Sequence, residues 1–324
     1  MKIKEDEIRP KKIFKKFLQT SKKDILIFKN KKNWKAIQCI ACNYSSKFVF
    51  SKNNFSFREC LKCSSLFVSP RPDKKYFELF YSNSKTSKYL NYFYKATEES
   101  RVKKLWKPKI KKILNLTDIK KIKKKYFVDI GGASGLFARE MFKQSKSKTF
   151  IIEPSPELFM LAKKRGFEGV NKKLENVKKS DLPNVEKIFT SFELVEHLHD
   201  PKVFFNKVYQ LMKKGDFFIF TTLSGLGFDI LALQENSNSV FPPHHINFFN
   251  PYSIKILLKK IGFTKINITT PGVLDIEIVK KNIHLSKNTV LQKIVERSLL
   301  DDETMQKKIS ELNLSSHMMS VCAK

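Results

Sequence analysis

Four cysteines form the most specific chemical pattern in this 324-residue sequence. Cys39 and Cys42 make one C-x2-C pair, Cys60 and Cys63 make a second, and 17 residues separate the pairs. This spacing is typical of a zinc ribbon, in which four thiolates bind one ion. Because four thiolates complete a tetrahedral shell and leave no position for water, we expect a structural Zn2+. The alternatives are reduced structural cysteines or a disulfide pair. Cys322 is predicted to be a buried thiol in the last strand.

A glycine turn follows an apolar strand at Asp129-Ile-Gly131-Gly132-Ala-Ser-Gly135. Backbone amides and missing Cβ atoms in such a turn let a ligand approach the carboxyl edge of a sheet. Position 133 is Ala, so the G-x-G-x-x-G spacing of dinucleotide-binding proteins is not met. The next strand ends in Glu153, about twenty residues further on, where an acid can accept both ribose hydroxyls. The pattern predicts a nucleotide-type pocket.

A third group of candidate residues directly follows the apolar stretch from Val185 to Phe192. If a helical turn begins there, Glu193, Glu196 and His197 have i, i+3 and i+4 spacing and share one face. Such a face can hold Mg2+, with His245 as a fourth ligand from a later loop. Two alternatives stay open: Glu196 and His197 hydrogen-bond the loop and shape the ligand pocket, or they act directly as acid and base.

The loop from Val240 to Phe249 carries two adjacent histidines, His244 and His245, behind two prolines. Because this loop lies beyond the strand that ends near Thr222, both histidines are expected to overhang the same sheet edge and act as acid or base. We expect His245 to contribute more than His244. The alternative is a loop packed by its aromatic side chains. The other three histidines are assigned no chemical role: His199, which we place in a surface turn, His284 and His317.

The segment that begins at Tyr126 must position these residues. Its short β-branched or aromatic runs alternate with amphipathic helices, which is the pattern of a parallel α/β sheet. Residues 276–314 are predicted to form an amphipathic helical insertion, and Met318–Ala323 a returning edge strand. Three polar residues followed by proline mark helix starts: Ser155-Pro156, Asp200-Pro201 and Asn250-Pro251.

The residues before this segment divide into three parts. Residues 1–35 are predicted to form a basic N-terminal arm with at most a short helix, and residues 36–72 the zinc ribbon. Residues 73–118 form a connector with a basic helical stretch from Thr97 to Leu116, which Pro108 interrupts. The catalytic domain is expected to span residues 119–324.

The formal net charge is +32, from 63 basic and 31 acidic side chains. Such a charge would favour a nucleic-acid partner, because cations that bind phosphates release counterions. Only seven of the 63 basic residues are Arg, however, so a solvated coat of lysines is the preferred interpretation. The N-terminus lacks a signal-peptide core and no stretch has eighteen uninterrupted apolar residues. We therefore predict a cytoplasmic protein without membrane insertion.

Taken together, the glycine turn and Glu153 resemble the class I methyltransferases that use S-adenosylmethionine. The resemblance implies that Asp129, Gly131, Gly132 and Gly135 surround the methionine part of the cofactor, that Glu153 binds the ribose and that Phe192 lines the pocket. No clear Asp follows Val170 for the adenine, which leaves Glu175 or a backbone amide. The Glu193, Glu196 and His197 set also resembles small-RNA and quinone-pathway O-methyltransferases that hold Mg2+ with such residues.

A closer resemblance is to bacterial methyltransferases with an N-terminal zinc ribbon, many of them linked to sugar and cell-surface polysaccharide pathways. It covers residues 36 to 280 and a final strand near His317 to Ala323. Beyond the ribbon, it rests on four stretches: Phe67–Pro72, Phe192–Pro201, Pro242–Phe249 and Thr270–Asp275.

This resemblance implies a seven-stranded Rossmann-like sheet with helices on both faces, preceded by the small zinc ribbon. It also implies methyl transfer from S-adenosylmethionine to a small-molecule acceptor, foremost a nucleotide-linked sugar or related saccharide of polysaccharide biosynthesis. One alternative is an RNA methyltransferase that binds RNA through the ribbon and the lysines. Another is a non-catalytic zinc-ribbon binding protein with a degenerate methyltransferase domain. An NAD-dependent enzyme is disfavoured by the glycine spacing.

Overall fold

The cysteine segment forms a small antiparallel sheet in the computed structural model, which describes residues 5–116, 125–286, 288–298 and 302–324. Its first three strands lie in the predicted ribbon, and the fourth comes from the histidine loop far along the chain. They are β1 (Ser46–Lys52), β2 (Phe55–Cys60), β3 (Leu66–Val68) and β9 (Asn247–Phe248). The ribbon is therefore not a separate module in front of the catalytic domain, because a strand of that domain completes its sheet.

Seven strands form the larger sheet, in the order β10-β11-β8-β7-β4-β5-β6. They are β4 (Tyr126–Ile130), β5 (Thr149–Ile152), β6 (Glu168–Val170), β7 (Lys187–Phe192), β8 (Phe217–Leu223), β10 (Thr264–Thr269) and β11 (His317–Ala323). Strands β4 to β8 run parallel, and β11 is antiparallel to both β8 and β10. The predicted seven-stranded α/β fold is confirmed.

The prediction that Met318–Ala323 is an edge strand is wrong. β11 lies between β8 and β10, so β10 forms that edge. This inner position agrees with the sequence of β11, in which Met318, Met319 and Cys322 are almost fully buried. The predicted burial of the Cys322 thiol is confirmed.

Helices cover both faces of the larger sheet, as predicted. Phe127 and Val128 are adjacent in β4 and therefore point to opposite faces. Phe127 packs in a cluster with α6 (Lys107–Leu116) and α7 (Leu136–Ser145). Val128 packs in a different cluster with α9 (Pro201–Leu211) and α11 (Pro251–Ile261). Burial on both faces explains why these strands are continuously apolar.

The predicted helix starts are confirmed by their hydrogen bonds. Asp200 Oδ1 accepts from the backbone N–H of Lys202 at 2.9 Å, at the start of α9. Asn250 Oδ1 accepts from Ser253 N at 2.8 Å, before α11. The Ser155 hydroxyl likewise caps α8 (Pro156–Lys164).

The prediction of a basic N-terminal arm is wrong for the described residues. They form α1 (Glu5–Ile8), α2 (Lys11–Asp24) and a 3-10 turn (Ile25–Phe28). The face of α2 that carries Phe17 is buried, and α2 packs against α4 (Lys85–Ala96), which follows α3 (Lys74–Asn83). Amphipathic spacing thus outweighs the high lysine content.

The predicted helical stretch from Thr97 to Leu116 is α5 (Glu98–Arg101), a π-helical turn (Val102–Trp106) and α6. Pro108 has no N–H, and its ring crowds the carbonyl of residue 104. The wider π turn at residues 102–106 accommodates this proline without ending the helix. Residues 117–124, which include the predicted start of the catalytic domain, lie outside the described residues.

The predicted insertion is helical where the structure describes it. It contains α12 (Asp275–Asn282), a 3-10 turn (Ile283–Leu285), α13 (Thr289–Ser298) and α14 (Asp302–Glu311). α12 packs against α10 (Phe228–Leu233). None of the described helices has the length and apolar character needed to cross a membrane.

Candidate functional site

The four ribbon cysteines converge on one point. All four sulfurs lie within 4.8 Å of one another, and the Sγ atoms of Cys39 and Cys63, and of Cys42 and Cys60, are each 3.4 Å apart. Zinc–sulfur bonds of about 2.3 Å in a tetrahedron place sulfurs about 3.8 Å apart, so the cluster fits one zinc ion with a small expansion. The contact between Cys39 and Cys63 lowers the pKa of Cys39 and raises that of Cys63, because without a metal the two thiols share a proton.

The ribbon is fastened to the catalytic domain by buried polar contacts. The Arg71 guanidinium donates to the backbone oxygens of Val68, His199 and Ile246 and to Asn247 Oδ1, the last at 2.6 Å. His199 Nε2 lies 3.1 Å from the Pro72 oxygen, so this histidine is not the plain surface residue that we predicted. Zinc in the ribbon would therefore stabilise the loop that carries His245.

The glycine turn has the geometry that a ligand-binding loop needs. Gly131 has φ +72°, a conformation that side chains with a Cβ rarely adopt. A Cβ at Gly132 would lie 2.9 Å from both Asp129 Oδ2 and Ile151 Cγ2, so only glycine fits there. Asp129 is buried beneath the turn and accepts from the Thr190 hydroxyl at 2.8 Å. Burial raises the pKa of Asp129 to about 7.

Glu153 connects the turn to the next helix. Its Oε2 accepts from Ala133 N at 2.9 Å, and its Oε1 accepts from Ser155 N at 2.8 Å. A carboxylate has about four acceptor positions, so roughly two remain for the hydroxyls of a ligand. Burial raises the pKa of Glu153, which is 6% exposed. Glu175 is exposed and lies 3.4 Å from Lys74.

Phe192 ends β7 beside the turn and packs against two aromatic rings. Its ring centroid is 4.7 Å from that of Phe137 and 5.5 Å from that of Trp106. These contacts hold the Phe192 ring at the carboxyl edge of the sheet, next to the glycine turn.

The predicted common face of Glu193, Glu196 and His197 does not form. Glu193 has φ +51° and precedes the short 3-10 turn, which contains only Val195–His197. Its Oε1 accepts from the Thr221 hydroxyl at 2.6 Å and lies 3.3 Å from Lys109 Nζ. Glu193 is therefore not part of the predicted Mg2+ set, whose other three members are Glu196, His197 and His245.

Glu193 instead contacts Lys109 and His317, two residues for which the sequence predicted no role. His317 Nδ1 is 3.4 Å from the Glu193 carboxylate. Burial would raise the pKa of Glu193, but the charges of His317 and Lys109 and the Thr221 hydrogen bond lower it. His317 reaches this position because β11 is antiparallel and begins opposite Leu223, at the carboxyl end of β8. No local sequence motif predicts the contact between His317 and Glu193.

The structure brings together Glu196, His197 and His245. One ligand atom from each lies within 4.8 Å of the others. The histidine loop is held against the Glu196 turn because Ile246 N donates to Glu196 O at 2.9 Å and Asn247 Nδ2 donates to Leu198 O at 2.6 Å.

The protonation of this group follows from its burial. Glu196 is 1% exposed, and its Oε2 accepts from the Thr222 hydroxyl at 2.8 Å. Burial and the Glu193 charge raise the pKa of Glu196 to about 8. Burial lowers the pKa of His197 to about 4 and that of His245 to about 3, so both rings are neutral at pH 7. His245 Nδ1 lies 2.7 Å from Ser239 O and donates to it, which leaves Nε2 as a free acceptor.

His244 points into an aromatic cluster. Its ring is stacked on Phe241 with centroids 5.4 Å apart and lies 4.9 Å from Phe80 and 5.9 Å from Phe17. It is 2% exposed, and its Nε2 has no hydrogen-bond partner among the described residues. For His244, the structure therefore agrees with the alternative that the loop is packed by aromatic side chains. Phe17 belongs to α2, so the N-terminal helices cover this side of the site.

The sheet order and the ligand loop at its carboxyl edge define the fold of a Rossmann-like methyltransferase. A family model described as a methyltransferase domain matches residues 99–268, which is slightly more than half of the sequence. The chain belongs to this methyltransferase-domain family. The search of curated proteins finds no match.

The chain is similar to solved structures at low identity, and one of them exceeds a TM-score of 0.5 and has the same fold. The plantazolicin methyltransferase BamL, in complex with a triazolic desmethylPZN analogue and S-adenosylhomocysteine, has TM-score 0.51 and 14% identity, over 76% of this chain and 94% of that one. Phosphoethanolamine N-methyltransferase 2 of Haemonchus contortus, with S-adenosyl-L-methionine, has TM-score 0.45 and 18% identity, over 65% of this chain and 52% of that one. This chain therefore matches about half of the length of the Haemonchus protein.

Proposed function

We propose that the protein is an S-adenosylmethionine-dependent methyltransferase that acts on a small-molecule acceptor. The observation that carries the proposal is the glycine turn tied by Glu153 to the end of β5, within a domain of the methyltransferase family. The S-adenosylhomocysteine bound to BamL supports the same choice. Asp129, Gly131, Gly132 and Gly135 would surround the methionine part, Glu153 would bind the ribose, and Phe192 would line the pocket.

S-adenosylmethionine supplies an already activated methyl group, so the protein contributes mainly alignment of the acceptor with it. An acceptor hydroxyl or amine must also lose a proton. We assign His245 Nε2 as the group that takes this proton, because Nδ1 of the same ring donates to Ser239 O. Glu196, once ionised, would stabilise the imidazolium, and His197 lies next to both residues. His244, enclosed by aromatic rings, is assigned a packing role.

The group of Glu196, His197 and His245 offers few ligands that suit a magnesium ion. Mg2+ prefers oxygen ligands, whereas Glu196, His197 and His245 offer two imidazole nitrogens and one carboxylate. We therefore assign Glu196, His197 and His245 to acid–base chemistry and derive no step from Mg2+. The structural Zn2+ is proposed for the four ribbon cysteines only.

For the acceptor, we propose a nucleotide-linked sugar or a related saccharide, a class suggested by the motif resemblance. Its hydroxyls suit a site lined by carboxylates and imidazoles. The test measures formation of S-adenosylhomocysteine with a panel of nucleotide-linked sugars. Turnover with at least one sugar would support the proposal, whereas turnover only with RNA would contradict it.

The +32 charge favours RNA as a second candidate acceptor. RNA binding of this origin falls steeply as salt is raised, because it depends on released counterions. A protein that binds neither S-adenosylmethionine nor S-adenosylhomocysteine would be a non-catalytic zinc-ribbon protein instead.

A further inference from the structure

Asp229 is a fully buried carboxylate in the first turn of α10. Its Oδ2 accepts from the hydroxyls of Ser237 and Ser239, at 3.0 Å and 2.8 Å. Its Oδ1 has no hydrogen-bond partner among the described residues. Burial and the charge of Asp275 raise the pKa of Asp229. Because a buried polar atom without a partner costs stability, stability alone does not explain a carboxylate at this position.

The two serines belong to the turn that leads into the histidine loop. Ser237 Oγ also accepts from Ser239 N at 3.1 Å, and Val240 N donates to Ser237 O at 3.2 Å. The Ser239 carbonyl and the Val240 N–H share one planar peptide unit and point in opposite directions. Because the N–H is directed at Ser237, the Ser239 oxygen points out of the turn. The hydroxyls that Asp229 holds therefore fix the direction of this carbonyl.

The Ser239 oxygen meets the proposed catalytic histidine, 2.7 Å from His245 Nδ1. A carbonyl oxygen can only accept, so it favours the neutral tautomer that carries hydrogen on Nδ1. That tautomer leaves a lone pair on Nε2, whereas the opposite tautomer has an N–H there and cannot take a proton. The direction of one carbonyl thus decides whether His245 can act as a base.

We propose that Asp229 is a positioning residue, which holds the Ser237 and Ser239 hydroxyls so that the Ser239 carbonyl selects the Nδ1–H tautomer of His245. The catalytic consequence rests on the proposed function. The tautomer itself is a property of the protein without cofactor or acceptor. Asp229 acts through Ser239, so it is not assigned a direct role in the reaction.

The test measures the tautomer of His245 in the full-length, zinc-loaded protein with 15N-labelled histidine side chains. Long-range 15N–1H spectra at pH 7 distinguish Nδ1–H from Nε2–H, and the His245 signals are those that are missing from His245→Gln. Three variants are compared with wild type. Asp229→Ala removes the carboxylate, Ser239→Ala removes one of the hydroxyls that it holds, and Asp229→Asn keeps an oxygen that can accept from both hydroxyls.

Asp216→Ala is the matched control. Asp216 is also buried, and its carboxylate accepts from the backbone amides of Lys187 at 3.0 Å and Lys213 at 2.8 Å. Lys187 begins β7 and Asp216 directly precedes β8, so this carboxylate lies at the amino edge of the parallel strands, away from His245. Its loss destabilises the protein without touching the turn before the histidine loop.

We expect wild-type His245 to carry hydrogen on Nδ1. Asp229→Ala and Ser239→Ala should each shift the tautomer ratio toward Nε2–H about fivefold, which corresponds to the loss of one ordinary hydrogen bond of about 1 kcal/mol. Asp229→Asn should keep the wild-type ratio. Asp216→Ala should also keep it, although its thermal midpoint falls.

An Nε2–H tautomer in wild type would overturn the proposal, as would a wild-type ratio in both Asp229→Ala and Ser239→Ala. An equal shift in Asp216→Ala would overturn it by assigning the change to general loosening of the fold. An equal shift in Asp229→Asn would overturn it by assigning the change to the charge of Asp229. If Asp229→Ala does not fold, Ser239→Ala decides the result.

Each protein is also titrated calorimetrically with S-adenosylhomocysteine. We expect the same affinity in wild type and in all variants of Asp229 and Ser239, because the glycine turn and Glu153 follow β4 and β5, on the other side of β7 from β8. If wild type does not bind S-adenosylhomocysteine, the proposed function fails, whereas the tautomer ratio still tests the positioning role of Asp229.

Discussion

Replacing Glu153 by Gln should separate cofactor recognition from folding. Glu153 holds the Ala133 and Ser155 amides with its two oxygens, and the same carboxylate is the proposed ribose ligand. Gln keeps the size of the side chain, but it offers one oxygen instead of two. We therefore expect the variant to fold and to bind S-adenosylhomocysteine much more weakly.

The magnitude follows from the hydrogen bonds involved. Two ribose hydroxyls that donate to a carboxylate lose about 1.5 kcal/mol each when the charge is removed, or about 3 kcal/mol together. This corresponds to roughly a 100-fold increase in Kd. One backbone N–H of the turn also loses its acceptor, which destabilises the fold by about 1–3 kcal/mol. Burial raises the pKa of Glu153, so removal of its charge offsets part of that loss.

The assay is calorimetric titration with S-adenosylhomocysteine, accompanied by a thermal melt of each protein. Glu186→Gln is the matched control, since the Glu186 side chain is 74% exposed and pairs only loosely with Lys125 at 3.6 Å. Wild-type affinity in Glu153→Gln would refute the assignment of Glu153 as the ribose ligand.

Three further outcomes are expected. Cys42→Ser should lower the zinc content, measured by elemental mass spectrometry, from one ion per chain and reduce the thermal midpoint, whereas Cys322→Ala should retain the zinc. A second equivalent of metal in wild type would contradict the assignment of Glu196, His197 and His245 to acid–base chemistry. The value of kcat/KM should rise as pH passes through about 8, where Glu196 ionises, and Glu196→Gln should remove that rise. An unchanged pH profile in the variant would exclude Glu196 as the group that stabilises the His245 imidazolium. The pKa of Asp129 is raised to about 7 in the folded protein, so its protonated form contributes stability that is present below about pH 4 and is lost as pH rises to 7. In urea unfolding, Asp129→Asn should therefore gain on wild type between pH 4 and pH 7, by about 4 kcal/mol at most, and no gain would refute the buried charge.

The fold was predictable because its signals are local. Alternation of apolar strands with amphipathic helices predicts the parallel sheet, and Asp200-Pro201 and Asn250-Pro251 mark helix starts through short-range hydrogen bonds. The two C-x2-C pairs likewise carry their geometry in their spacing. A structural feature that depends only on residues close together in the chain can therefore be predicted from the sequence.

The contacts between distant segments were not predictable from such signals. β9 completes the ribbon sheet with two residues, and a strand that short has no periodicity to detect. His317 reaches Glu193 only because β11 is inserted antiparallel between β8 and β10. The lysine content of α2 concealed an apolar face that packs over His244 through Phe17.

The prediction for Glu193 failed for a local reason that the sequence did not show. The spacing of Glu193, Glu196 and His197 suits an α-helical face, but Glu193 adopts φ +51° before a 3-10 turn. This conformation turns its carboxylate toward Lys109 and Thr221, where its hydrogen bonds stabilise it. Residue spacing alone does not distinguish the two backbones.

Cofactor binding tests the central claim most directly. Purified, zinc-loaded protein is titrated calorimetrically with S-adenosylhomocysteine and, in a parallel experiment, with NAD. We expect saturable binding of one S-adenosylhomocysteine per chain and no binding of NAD. Absence of S-adenosylhomocysteine binding in a folded, zinc-loaded protein would contradict the proposal and indicate a non-catalytic zinc-ribbon protein.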